Sequence, residues 1–200
     1  MKKIFLVLLA SAGITSAAHA QGARLGVKAG ANLSNIVGKD IEGPTNKFGA
    51  HAGFVAELGI TDNFAIQPEV LFSMKGAQDE DDSDFRINQS YIDVPVLLKI
   101  KADGLFFEVG PQVGLLVGSK IKADKLSIDS KDAFKTLDFG YVAGLGYELS
   151  NGPMIGLRYN GGLSDIVKKE DSTGVSIDFD GSKARNSVFQ LYVGFMFGGK

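Results

Sequence analysis

Apolar residues recur at every second position over eight stretches of this chain, and the positions of opposite parity carry glycine, charge or amide. The closing stretch shows the pattern plainly: Phe189, Leu191, Val193, Phe195 and Phe197 share one face, with Gln190, Tyr192, Gly194 and Met196 on the other. The same period of two runs through residues 24–34, 48–60, 64–75, 91–101, 105–118, 138–149, 153–163 and 186–197. Each stretch reaches the roughly 9–11 residues that a tilted strand needs to cross a bilayer. Short polar reversals at 61–63, 102–104 and 150–152 carry Asn, Asp and Gly and predict tight hairpins. They alternate with long connections at 35–47, 76–90, 119–137 and 164–185, as periplasmic turns alternate with extracellular loops. Strands in lipid must satisfy every backbone polar group among themselves, so the pattern predicts a closed sheet. The expected fold is all-β: an eight-stranded antiparallel up-and-down transmembrane β-barrel, apolar face on lipid and mixed face on a narrow lumen. Pro68, on the apolar face of the third stretch, predicts a bulge or a local loss of pairing.

The ends and the composition sharpen this picture. Residues 1–20 read as a cleavable export signal: Lys2 and Lys3, an apolar core over 4–10, then the small-x-small site Ala18-His19-Ala20. The mature chain is expected to start at Gln21, leaving 21–200 as one barrel domain. The leading apolar run falls far short of the roughly 20 residues of a spanning helix. With no cysteine, the chain offers no disulfide, thiolate metal site or lipid-modified cysteine. A formal charge of -2 gives no electrostatic reason to expect nucleic acid. The 26 glycines fall mostly on the charged face, as a tight interior holding a few large side chains requires. Alternation alone does not say which face is inside, so a secreted lipocalin-like barrel with an apolar ligand in its core is the rival architecture. Glycine and charge clustering on one face favours the membrane reading.

Several motifs are more specific: Gly26-Val27-Lys28-Ala29-Gly30-Ala31-Asn32-Leu33-Ser34 at the opening, Gln67-Pro68-Glu69-Val70-Leu71-Phe72 in the third stretch, and Tyr91-Ile92-Asp93-Val94-Pro95-Val96-Leu97-Leu98-Lys99 in the fourth. With Gly110-Pro111-Gln112 and the aromatic ending, the chain resembles the outer-membrane β-barrel family common in Bacteroidetes, termed porin-like or PorT-like, and more loosely the small OmpX and OmpA barrels. The resemblance implies an integral outer-membrane protein with a structural, surface-contact or minor small-solute role. Its expected partners are outer-membrane lipid, lipopolysaccharide and the barrel insertion machinery, and it is expected to be a monomer. The chain departs from the usual barrel ending in that Gly198-Gly199-Lys200 follow Phe197, which makes a terminal aromatic signal slightly internal.

The candidate chemistry lies on the inward positions. Arg24, Lys28, Lys75, Lys99, Lys101 and Arg158 share that face with Glu57, Glu69, Asp93, Glu108 and Glu148. Eight strands enclose a space only wide enough for side chains, so these charges are expected to pair in a network that fills the lumen rather than lines a channel. His51, the sole histidine after signal removal, is the one candidate base, and Ser34 or Ser73 would be its nucleophile. No motif sets either serine beside it, so no catalytic residue is assigned, and a hydrolase ranks third among the readings. The acidic run 79–84, with Asp124, Asp129, Asp132, Glu170, Asp171, Asp178 and Asp180, has the oxygen donors for Ca²⁺ or Mg²⁺ but not the spacing of an EF-hand loop. Solvated loop tips are the expectation, with no metal and no cofactor.

Overall fold

The computed structural model describes residues 23–38, 44–79, 86–123, 126–167 and 183–198. The candidate signal with Gln21, the acidic run beyond Asp79, and Asp124, Glu170, Asp171, Asp178 and Asp180 lie outside the described residues. Ten strands are described: β1 (Ala23–Val37), β2 (Pro44–Thr45), β3 (Lys47–Gly59), β4 (Phe64–Asp79), β5 (Arg86–Ala102), β6 (Leu105–Ala123), β7 (Leu126–Asp129), β8 (Leu137–Glu148), β9 (Pro153–Gly162) and β10 (Arg185–Met196). The long ones pair antiparallel in chain order, β1–β3–β4–β5–β6–β8–β9–β10, and β10 returns to β1 from Gly26↔Met196 to Val37↔Arg185. The sheet therefore closes into an eight-stranded barrel. The short β2 and β7 are flaps on β4 and β6.

Local chemistry explains the three tight turns. Asp103 (φ 49°) and Gly104 (φ 89°) occupy the left-handed region that a two-residue hairpin requires, where aspartate and glycine are tolerated best. Gly152 (φ 108°) plays that part between β8 and β9. Thr61 turns its hydroxyl onto the backbone N–H of Phe64 at 3.0 Å, closing the β3–β4 reversal.

Burial identifies the faces. Phe48 is 79% exposed and Phe189 61%, whereas the side chains of Lys28, Glu69, Glu108 and Arg158 are fully enclosed. An apolar exterior around a charged interior inverts the lipocalin-like alternative, whose ligand cavity would need apolar walls. Pairing between β3 and β4 lapses beside Pro68: it stops at Val55↔Glu69 and resumes at Leu58↔Ile66 without a change of register. Proline has no N–H to give to a ladder, and the outcome here is lost pairing, not a bulge.

The loop end differs from the sequence expectation. β4, β5 and β6 continue past the predicted boundaries, so part of the connections 76–90 and 119–137 is ladder standing above the barrel. One bulge lies there: Ser90 faces Gly118 and Tyr91 faces Leu116, leaving Val117 as the extra residue. The inward parity of β6 changes across it, from Leu116 to Ser119, both buried. Gly118, expected to point inward, sits at the switch instead, and a Cβ added there would meet nothing within 4 Å.

Candidate functional site

Alternation delivers inward side chains from all eight long strands to one axis, where they meet at successive levels. Nearest the tight turns, Glu57 on β3 accepts from Arg24 at 2.7 Å and from Lys99 and Lys101 at 2.8 Å each. Glu148 on β8 accepts from Arg24 and Lys99, both at 2.7 Å. The five side chains come from β1, β3, β5 and β8, so the cluster ties non-adjacent walls together. A cavity of about 330 Å³ opens between the three tight turns and is lined in part by Arg24, Lys101, Phe106 and Glu148.

The middle level is fully buried and electrically balanced. Arg158 on β9 grips Glu69 on β4 with two N–H donors, at 2.8 and 3.0 Å, and gives two more bonds to Glu108 on β6 at 2.7 and 2.8 Å. Lys28 reaches Glu69 at 2.9 Å and lies 3.9 Å from the centre of the Tyr192 ring. The Tyr192 hydroxyl donates to Glu108 at 3.0 Å, and Gln67 Nε2 donates to Glu69 at 2.7 Å. Two cations face two carboxylates, and hydrogen bonds occupy the remaining oxygen sites, the condition under which ions are tolerated out of water. Glycine makes the room: a Cβ on Gly144 would stand 2.7 Å from Arg158 Cβ and 3.0 Å from Glu108 Oε1.

Above it, Lys75 pairs with Asp93 at 2.8 Å. His51 Nδ1 meets Asn32 Oδ1 at 2.7 Å, which makes Nδ1 the protonated nitrogen, and Gln190 donates to the same oxygen at 2.8 Å. Neither candidate serine serves the imidazole. The Ser34 hydroxyl donates to the Gly76 carbonyl at 2.9 Å, with the Lys47 carbonyl next nearest at 3.2 Å, and Ser73 Oγ accepts from Asn32 Nδ2 at 3.1 Å. The eleven charged positions singled out in the sequence, Arg24, Lys28, Glu57, Glu69, Lys75, Asp93, Lys99, Lys101, Glu108, Glu148 and Arg158, all point inward and take part in ion pairs.

Sequence reasoning missed two groups. Asp138, at the β8 entrance, accepts from Asn186 at 2.8 Å and from the Ser164 hydroxyl at 2.9 Å, a pairing with neutral donors that charge alternation does not flag. At the loop end, Phe134, Ala133, Ile166 and Ala184 fold over the barrel onto Ile36, Ala77, Ile87, Tyr91 and Leu116 as one buried apolar cluster. Lys135 N–H to the Ile166 carbonyl at 2.7 Å and Ile166 N–H to the Ala184 carbonyl at 2.9 Å hold these segments together. The only signal was isolated apolar residues inside stretches that are otherwise polar.

This closed antiparallel cylinder, with its apolar exterior and ionic interior, can be set against known proteins. The sequence profile of the outer membrane protein beta-barrel domain matches residues 17–168. The chain belongs to that family. Among solved structures, this outer-membrane barrel is similar to Neisserial surface protein A (NspA) at 13% identity and a TM-score of 0.57, covering 88% of this chain and 100% of that one. It is likewise similar to Ail, the attachment invasion locus protein of Yersinia pestis, at 13% identity and a TM-score of 0.50, with the same coverage. At such identities the likeness speaks for the fold. No curated protein sequence matches the chain. The family and the apolar exterior place the protein in the outer membrane.

Proposed function

We propose that this protein is a non-conducting, non-enzymatic barrel of the outer membrane, serving the envelope as structural support and as a contact surface at its loop end. One observation carries the reading: buried side chains follow one another along the axis, from the Glu57 cluster through Arg158, Glu69 and Glu108 to the Phe134 and Ile166 cluster. Eight strands leave no spare width beside such side chains. Lipid, lipopolysaccharide and the insertion machinery are its partners on this reading, and the chain acts as a monomer. The opening, third-strand and fourth-strand motifs support a place in the porin-like branch common in Bacteroidetes. Planar-bilayer recording of the purified protein tests the proposal: no stable porin-sized current is expected. Sustained conductance would move the function to solute diffusion.

A further inference from the structure

The cavity between the three tight turns has a floor of one sign and a rim of the other. Its floor belongs to the Glu57 cluster, in which Arg24, Lys99 and Lys101 share the carboxylates of Glu57 and Glu148. All the carboxylate oxygens are engaged: Glu57 Oε1 by Arg24 and Lys101, Glu57 Oε2 by Lys99, Glu148 Oε1 by Arg24 and Glu148 Oε2 by Lys99. Three cations against two carboxylates leave one positive charge over, and it reaches the cavity through Lys101. Among the described residues the Lys101 ammonium donates to Glu57 alone, and its side chain is 27% exposed. An ammonium has three donors, so two remain for an incoming acceptor. The rim is acidic. Asp62 and Asp103, from the β3–β4 and β5–β6 turns, line the same cavity and are exposed. Among the described residues Asp103 forms no ion pair with the floor. A simple anion would have to pass the rim aspartates, and a simple cation would meet Arg24 and Lys101. The volume of about 330 Å³ is at the small end of ligand pockets.

We infer that this cavity binds a small zwitterion, with its carboxylate or phosphate on Lys101 and Arg24 and its ammonium at the rim beside Asp103. Two sources share that chemistry: a free amino acid, and the phosphoethanolamine head group of a phospholipid. The site does not depend on whether the lumen conducts. The test is NMR titration of the whole, isotope-labelled barrel in maltoside micelles, whose head groups carry no charge. The probes are alanine and glycerophosphoethanolamine, with N-acetylalanine and ethanolamine as counterparts that keep only the negative or only the positive charge. At least one zwitterion is expected to shift the amides of residues 101–106 and 148–151 saturably, the tighter of the two naming the source. Each single-charge counterpart is expected to bind about tenfold more weakly, the worth of one charge-assisted contact. Lys101→Gln is expected to weaken the zwitterion by about the same factor while keeping the heat-modifiable gel shift of a folded barrel. Asp103→Asn keeps a residue that tolerates the left-handed turn (φ 49°), and is expected to weaken the zwitterion while strengthening N-acetylalanine. No saturable shift with either zwitterion, or unchanged affinities in both variants, overturns the site. A single-charge counterpart that binds as tightly as the zwitterion overturns the class of ligand.

Discussion

At the scale of single residues, the interior is governed by the cost of stranding a charge. Glu69 holds Lys28 and Arg158, all three fully enclosed. Glu69→Ala leaves these cations with only Glu108 close by, and the expected loss is about 3–5 kcal/mol in chemical unfolding from micelles followed by circular dichroism. Glu148→Ala is expected to cost clearly less, because its side chain is 10% exposed and both partners, Arg24 and Lys99, keep Glu57. The same crowding makes glycine specific. Gly144→Val would drive side-chain atoms into Arg158 and Glu108 and is expected to cost about 1–3 kcal/mol, while Gly118→Ala, with open space around its Cβ, leaves the unfolding midpoint unchanged. The inward parity of the eleven charges was legible in the sequence because a period of two assigns every residue to a face. Their partners were not, since alternation fixes direction but not height along the axis or the distance across it.

At the scale of the strands, the apolar band has a depth profile that charge can report. Val109 lies near the middle of the outward series on β6, and Leu115 lies toward the loop end. Val109→Arg is expected to destabilise the barrel by about 2–4 kcal/mol, and Leu115→Arg by about 0–1 kcal/mol, measured as unfolding in lipid vesicles. Equal costs at the two positions would displace the membrane boundary drawn here. Strand order and the three hairpins were readable because turn chemistry and alternation reinforce each other at 61–63, 102–104 and 150–152. The loop end was not. Residues such as Gln78, Asn88 and Lys120 pair in ladders above the bilayer, where backbone bonding no longer needs an apolar face, so their composition looks like loop. The bulge at Val117 was hidden for a related reason: one extra residue reverses parity without changing composition.

At the scale of the whole molecule, wall and interior are wired differently. The wall joins mostly strands that follow one another in the chain, so its hairpins close over short distances. The interior joins remote ones: Arg158 with Glu69 across 89 residues, Tyr192 with Glu108 across 84, and Gln190 with Asn32 across 158. These bonds exist only after β10 has met β1, because until then the two flanks of the lumen have no fixed distance between them. They are therefore expected to form after the folding transition state, so that their energy acts on the way out rather than on the way in. Arg158→Ala is expected to speed unfolding on the order of a hundredfold and to leave the refolding rate nearly unchanged, read from the decay of the folded gel band in denaturant and its recovery after dilution. The seam between the first and last strands thus works as a latch: the barrel owes its lifetime, more than its rate of assembly, to the charges that seam encloses.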